Sequence, residues 1–271
     1  YQIDKLEKLV ALVEQHAPQE GIQLTGFENL GTFKSSTTQV RMPSYYDPAI
    51  VIVGQGKNRC YIGNNSYEYG AGDYLILFLP MSLEVEILVA SPDKPFLAAG
   101  VRIDLGRLAD VLLRIERAEG AVTKPVSTDP SGIFSAPLND NLLDPTIRLL
   151  ESLDNSRDAA VLGDLIVDEI YYRILCDERG GDLRTFLQQR GQIQRVAKTV
   201  QHIHQNIEEP VSVEKLAEMV HMSRTSFYEN FRDVMHVSPL QYAKSVKLVK
   251  AQTLIKEGKN ASEAGYLVGY N

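Results

Sequence analysis

Residues 213–238, VEKLAEMVHMSRTSFYENFRDVMHVS, constrain this chain more than any other stretch, because their spacing reads as helix, three-residue turn, helix. Leu216, Met219 and Val220 give the first helix an apolar stripe, and Ala217 is small enough for a close helix crossing. His221-Met222-Ser223 forms the turn, with Ser223 as N-cap of the second helix. There Phe227 and Phe231 lie four residues apart and must face inward. Arg224, Thr225, Tyr228, Glu229 and Arg232 then point outward together. A helix that buries two phenylalanines and projects a polar row has the shape to enter a DNA major groove.

The pattern repeats. Residues 216–223 align with residues 264–271 at an offset of 48, placing Ala217 against Gly265 and Val220 against Val268. Between the copies, Ser238-Pro239 begins a helix with Ser as N-cap and Pro at its first position. That helix, SPLQYAKSVKLVKAQTLI, carries Lys244, Lys247 and Lys250 at every third residue. Two helix-turn-helix units joined by a basic helix are far more specific than one unit alone.

On these residues, LAEMVHMSRTSFYENF, SPLQYAKSVKLVKAQTLI and EAGYLVGYN, the segment 192–271 resembles the DNA-binding domain of the AraC/XylS family of bacterial transcription regulators. The resemblance implies two recognition helices placed in successive major grooves, roughly 34 Å apart. It also implies RNA polymerase as a partner and activation rather than repression. The second recognition helix of such a domain would begin at Asn271, so one complete reading head is expected here. His221 and His236 stand where the family more often has glycine. Both read as turn residues, since histidine enters left-handed backbone more readily than most.

Residues 45–105 resemble the N-terminal domain of one branch of the same family. The carriers are YDPAIVIVGQGKNRCYIG, YEYGAGDYLILFLP and ASPDKPFLAAGVRIDL, with DEIYYRILCDERGGDLR further on. In the wider family such domains resemble cupin barrels and serve effector binding or dimerisation. The expected fold class is therefore α+β in two domains. A cupin-like barrel with flanking helices spans 1–178, a linker 179–191, and an all-α double helix-turn-helix domain 192–271, incomplete in its second unit.

The local signals agree. A helix is expected from Gln2 to His16, with Ile3, Leu6, Leu9, Val10 and Val13 on one side. Between about Gly21 and Ile103 lie the segments QLTGFENLGTFKSS, AIVIVGQGKNRCYI, NSYEYGAGDYLILF and EVEILVAS, broken by Gly, Asn and Pro, as in a small barrel or sandwich. Gly63-Asn64-Asn65-Ser66 is a hairpin turn candidate. Helices are expected at Leu142–Leu153 and Ala159–Cys176; the second, apolar nearly all round, is the candidate for dimerisation or for burial against the barrel. The break between domains is placed at Asp177–Asp182, where paired glycines interrupt the helix. Beyond it Gln192 opens a helix with Ile193, Val196, Ala197, Val200, Ile203 and Ile207 on one stripe, stopped by Pro210.

A chain of 271 residues, 44% apolar, is long enough for two cores. It has no apolar run of membrane length and no signal-like start, and Cys60 and Cys176 are isolated, so a cytoplasmic protein without membrane association is expected. The net charge of −7 divides unevenly: residues 192–271 hold ten basic and eight acidic side chains, and residues 1–191 hold 18 and 27. The helical part is thus weakly basic, which predicts modest non-specific DNA affinity with strong salt dependence.

A cupin-like barrel raises the rival class of metal enzyme, which needs converging His and carboxylate ligands. No histidine lies between His16 and His202. His202 and His204 are two apart on a helix and share no face. Glu68 and Asp73 are a conceivable pair, but Asp73 follows Gly72 and reads as a turn cap. Gly54-Gln55-Gly56 lacks the helix of a phosphate loop. No enzyme activity, metal or cofactor is expected.

Within the reading head, Thr225, Tyr228 and Glu229 are expected at base edges, with Ser226 in the same segment. Arg224 and Arg232 read as phosphate clamps, Ser212 as an N-cap offering a backbone contact, and Lys244 and Lys247 as further DNA contacts. Glu229 either accepts from a cytosine amino group or only pairs with Arg232. For an unknown small-molecule effector the candidates are Arg41, Tyr45, Tyr46, Tyr61, Tyr67, Tyr69 and Arg102; the tyrosines alternatively cover a sheet face. The partners expected are promoter DNA, an effector and a second copy of the chain. The alternative function is a non-catalytic small-molecule or protein-binding cupin module with a vestigial DNA-binding part.

Overall fold

The computed structural model describes residues 2–119, 132–177, 184 and 190–270. Helix α1 (Gln2–Gln15) opens the chain and buries Leu9 and Val13. Ten strands follow: β1 (Gly21–Leu24), β2 (Leu30–Ser35), β3 (Gln39–Tyr46), β4 (Ala49–Gln55), β5 (Lys57–Ile62), β6 (Asn65–Gly70), β7 (Asp73–Leu77), β8 (Met81–Val89), β9 (Phe96–Arg102) and, after helix α2 (Leu105–Glu119), β10 (Ile133–Pro137). They form a six-stranded sheet in the order β1-β2-β9-β4-β7-β10 and a four-stranded sheet in the order β3-β8-β5-β6. All pairings are antiparallel.

Alternation along the strands turns one face of each sheet into a shared core. On β5, Asn58, Cys60 and Ile62 are buried while Lys57, Arg59 and Tyr61 look outward. The hairpin expected at Gly63 closes with Ile62 opposite Asn65, and Gly63 takes φ +57, the left-handed geometry such a two-residue turn requires. Four elements depart from the sequence reading. Strand β3 contains Pro43, β9 (FLAAGVR) is buried at most positions and shows no alternation, β10 lies outside the expected strand block, and α2 was read as no element. The segment QLTGFENLGTFKSS holds β1 and β2, AIVIVGQGKNRCYI holds β4 and β5, NSYEYGAGDYLILF holds β6 and β7, and the first helix ends at Gln15.

Helices α3 (Asp140–Ser152) and α4 (Ser156–Cys176) begin earlier than apolar periodicity suggests, because Asn139 and Asn155 supply their N-caps. The two pack on each other, and α4 also packs on α2. The Tyr171 hydroxyl donates to the Arg102 carbonyl (2.7 Å) and accepts from the Asp104 N–H (3.0 Å), tying α4 to the end of β9. Val161, Leu162 and Leu165 of α4 stay exposed. The expected domain break begins at Asp177, the extended C-cap of α4. Most of its residues, and of the linker 179–191, lie outside the described residues.

From Arg190 onward the described residues form helices and turns: α5 (Arg190–Gln205), α6 (Val213–Met219), α7 (Arg224–Met235), α8 (Pro239–Lys256) and α9 (Ala261–Leu267). Val196, Val200, Ile203, Leu216, Ala217, Phe227, Phe231, Tyr242 and Val246 make their core, while the Ile193 side chain lies outside the described residues. Ser238 and Gln241 close a capping box on α8. This helical part rests on the four-stranded sheet through contacts of α8 with β3 and β8.

Candidate functional site

The helix-turn-helix segment is built as its spacing requires. Phe227 and Phe231 are fully buried and stack edge to face at 5.7 Å, and Phe231 meets Tyr242 at 5.8 Å in the same way. This anchors α7, so Arg224, Thr225, Tyr228, Glu229 and Arg232 are all exposed on its outer side, with Ser226 half-buried. The Ser223 hydroxyl accepts from the Ser226 N–H and starts the helix. Ser212 caps α6 through the Lys215 N–H. Lys244 is exposed on α8, and the ammonium of the half-buried Lys247 sits 5.7 Å above the Tyr270 ring.

Charge pairing on this face differs from the expected alternatives. Arg224 Nη1 meets Glu214 Oε1 at 2.9 Å, so a residue read as a phosphate clamp is held by a carboxylate of α6. Among the described residues Glu229 and Arg232 form no ion pair, which leaves Glu229 open on the outer row.

The internal repeat extends to individual hydrogen bonds. In the first copy Val220 N donates to Ala217 O, His221 N to Glu218 O and Met222 N to Ala217 O. In the second, Val268 N donates to Gly265 O, Gly269 N to Tyr266 O and Tyr270 N to Gly265 O. His221 takes φ +56 and Gly269 φ +79, so both turns pass through left-handed backbone at the same step. His236 also takes φ +56, as the cap of α7. Ser212 and Asn260 cap the two short helices identically. A glycine and two histidines thus serve one backbone geometry.

The second feature is a cavity of about 420 Å³ between the two sheets. One wall is the six-stranded sheet, where Gly31, Gly100 and Val51 lie side by side in register, next to the row of Phe33 and Ala98. Two adjacent glycines and an alanine leave the volume that larger side chains would fill. The other wall is the four-stranded sheet, with Ser44 and Tyr46 of β3, Val85 and Ile87 of β8, Asn58 of β5 and Tyr69 of β6. Ile22, Leu24, Glu28, Asp47 and Arg102, all exposed, also line it, as do the polar Asn29, Thr32 and Gln39. Burial pushes the Tyr46 and Tyr69 hydroxyls well above the usual tyrosine value, and the neighbouring Cys60 thiol up to about 12.

The seven effector candidates divide between two faces. Tyr45, Tyr46, Tyr69 and Arg102 line the cavity. Arg41 lies 4.0 Å over the Tyr61 ring and bonds to Glu84, and the Tyr61 hydroxyl bonds to Glu86; both belong to the outer face of the four-stranded sheet. Tyr67 packs against the core and does not line the cavity. Seven polar or aromatic residues in strands look alike until register decides which side each faces. Gly31, Ala98 and Gly100 carry no chemical signal in a sequence, and the inward placement of Asn58 depends on strand register.

The third feature joins the first two. Tyr45, at the cavity, packs against His204 of α5 with ring centroids 4.8 Å apart and planes inclined at 54°. His204 Nε2 lies 2.9 Å from the Tyr242 hydroxyl, which donates to the Pro80 carbonyl at 3.1 Å. The Tyr242 oxygen is therefore left to accept, and His204 carries its proton on Nε2. Burial lowers the His204 pKa, against a smaller opposing effect of Asp47. His202, two residues away, is exposed and meets Asn206 at 3.2 Å.

The rival carboxylate pair is dispersed. Glu68 pairs with Lys57 and Arg59, while Asp73 Oδ2 accepts from the Gly70 N–H at 2.9 Å as a turn cap. No group of three metal-ligating side chains occurs among the described residues, and none of their helices is long and apolar enough to cross a membrane.

Comparison with known proteins bears on both parts. The family described as "AraC-type transcriptional regulator N-terminus" matches residues 26–182. An apo ToxT variant from Vibrio cholerae strain SCE256 superposes with a TM-score of 0.58 at 9% identity, covering 93% of this chain and 90% of that one. Wild-type ToxT from the same strain, with an unsaturated fatty acid bound, gives 0.56 at 10% identity, covering 89% and 86%. At such identities the likeness is one of fold. No curated relative matches at a significant level.

Proposed function

This chain belongs to the AraC-type transcriptional regulators, and on that premise we propose that its helical part reads DNA under the control of a small molecule held in its strand-rich part. Residues 1–178 act as a cupin-like effector and dimerisation domain, 179–191 as linker, and 192–271 as the helix-turn-helix DNA-binding domain. The observation that carries this reading is the exposed row on α7, anchored by two fully buried phenylalanines and preceded by a turn that recurs bond for bond 48 residues later.

Thr225, Ser226, Tyr228 and Glu229 contact base edges, and Arg232, Lys244 and Lys247 contact phosphates. Ser212, at the start of α6, offers a backbone N–H to the phosphate chain. Arg224 must exchange Glu214 for phosphate on binding. The effector acts through population shift: a molecule in the cavity presses on Tyr45, Tyr45 bears on His204, and the helical part changes how firmly it holds to the sheets. ToxT with a bound unsaturated fatty acid shows that a protein of this fold accepts a small molecule. Activation through RNA polymerase, dimer formation and a cytoplasmic location complete the proposal.

Selection from a randomised duplex pool, followed by anisotropy titrations at several salt concentrations with competitor DNA, tests it. A consensus should emerge whose binding weakens with salt. Arg232→Ala should weaken all sequences evenly, and Thr225→Ala should relax preference at one position. No enrichment at low salt would sink the reading. The open Glu229 and the Arg224–Glu214 pair favour a second reading, a small-molecule module whose DNA-binding part is vestigial.

A further inference from the structure

We infer that the cavity between the sheets takes an uncharged, largely apolar molecule bearing a hydrogen-bond acceptor, such as a ketone, ester or lactone. This rests on the proposal that the strand-rich part holds an effector, and it names the chemistry of that effector.

The argument starts from two buried polar side chains on the inner face of the four-stranded sheet. Asn58 of β5 and Tyr69 of β6 are cross-strand partners, 4% and 1% exposed, and both line the cavity. Asn58 Oδ1 accepts from the Arg59 N–H at 2.8 Å, which uses one of its two lone pairs. Its Nδ2 group, and the Tyr69 hydroxyl, meet no hydrogen-bond partner among the described residues. Neither atom is among the sealed, unpartnered polar atoms of the described residues, so both open onto the cavity, where an acceptor on a bound molecule can take the place of water.

The charge of that acceptor follows from the surroundings. The charged residues of the lining are Glu28, Asp47 and Arg102, two carboxylates against one guanidinium. All three lie at the exposed end: the Arg102 side chain is 59% exposed and stands 3.8 Å from Glu28. Deeper in, the walls are Val51, Val85, Ile87, Phe96, Ala98 and Gly100 with the tyrosines. A carboxylate carried to Asn58 would lose its water with no cation to replace it. The burial that holds Tyr46, Tyr69 and Cys60 in their neutral forms acts on a ligand in the same direction. An ammonium would find only neutral acceptors near Asn58 and no carboxylate among the deeper lining residues to replace its water. Neutral molecules fit both conditions, and 420 Å³ lies within the common range of small-molecule sites.

The test uses the full chain loaded with the neutral dye N-phenyl-1-naphthylamine, displaced by three ten-carbon probes: 2-decanone, decanoate and decylamine, at a pH where the last two are ionised. The ketone should displace the dye about tenfold more effectively than either ion. Asn58→Leu with Tyr69→Phe should weaken the ketone about tenfold and leave the acceptor-free 1-decene unchanged. Gly100→Leu should remove dye and ketone binding together. A Cβ at Gly100 has its nearest neighbour, the Gly31 oxygen, at 4.0 Å, so the side chain extends into the cavity without meeting backbone. Thermal unfolding of each variant establishes that it is folded.

Decanoate binding more tightly than the ketone, with that preference lost in Arg102→Ala, would overturn the neutral class while leaving an effector cavity in place. Ketone binding unchanged in Asn58→Leu with Tyr69→Phe would overturn the acceptor. Failure of every probe to displace the dye, or unchanged binding in Gly100→Leu, would overturn both the ligand class and the effector role of this cavity. DNA selection stands or falls independently of all four outcomes.

Discussion

The strand-rich part turns its candidate chemistry inward, and the helical part turns it outward. On the inner face of the four-stranded sheet, Asn58 and Tyr69 are polar groups held where water is scarce. On α7 the polar row stands in solvent and the two phenylalanines are hidden. The physical reason is the size of the prospective partner. A small molecule must be surrounded to be bound, so its site is a gap in packing. A duplex is too large to surround, so its site is a projection whose stiffness comes from the core beneath. The same chain therefore needs loose packing at Gly31, Ala98 and Gly100, and tight packing at Phe227, Phe231 and Tyr242.

The largest expected effect breaks the tight side. Phe231→Ala removes a fully buried ring packed on Phe227 and Tyr242, and should cost about 3–5 kcal/mol. Urea unfolding followed by helical circular dichroism should show the loss, while dye binding in the cavity persists. A variant that loses both together would show that the two parts fold as one unit.

The repeated turn supplies a paired experiment. Gly269→Ala puts a Cβ 2.1 Å from the Glu208 carbonyl oxygen at φ +79 and should destabilise by about 2 kcal/mol or more. At the matching step His221→Gly should be neutral or stabilise by up to about 1 kcal/mol, since His221 already bears the left-handed strain at φ +56. Destabilisation by His221→Gly would mean that the two turns are not equivalent.

The junction between the parts should respond to pH. Burial lowers the His204 pKa, so the docked state holds the imidazole neutral among Tyr45, Tyr242, the Pro80 carbonyl and Asp47. When undocked it titrates near its ordinary 6.5 and binds the extra proton, so docking is fully supported above that value and weakens as pH falls below it. Limited proteolysis across the range should show 190–270 becoming more susceptible on the acid side. His204→Phe should flatten the dependence; an unchanged profile would assign it to other groups.

The smallest effect tests the outer face. Glu214→Ala removes a carboxylate from an exposed pair with Arg224, so stability should barely change. DNA affinity should rise at low salt, because Arg224 no longer exchanges partners. A fall in affinity would mean that Glu214 positions Arg224 for binding.

The two parts also differ in how far they could be read from sequence. On α7, a spacing of four residues between Phe227 and Phe231 was enough to turn every other side chain the right way, because helical periodicity is local. The left-handed turns at His221 and His236 were legible for the same reason: caps and turns are set within a few residues. In the strands the effector candidates split, with Tyr45, Tyr46, Tyr69 and Arg102 at the cavity and Arg41 and Tyr61 on the opposite face. Strand β9 is hard to read because nearly uniform burial hides the alternation, whereas α2 was legible, since Leu108, Val111, Leu112 and Ile115 recur at helical spacing and are buried.

By itself the sequence determined the helical unit, its repeat at 48 residues, the exposed polar row and the mixed fold class, all products of short-range spacing. Only the tertiary structure decided that Gly31 lies beside Gly100 from strands nearly seventy positions apart, opening a cavity opposite Asn58 and Tyr69. It also brought Tyr45, His204, Tyr242 and Pro80 into one junction. Those pairings depend on strand register and on docking between distant segments, and no local pattern encodes either.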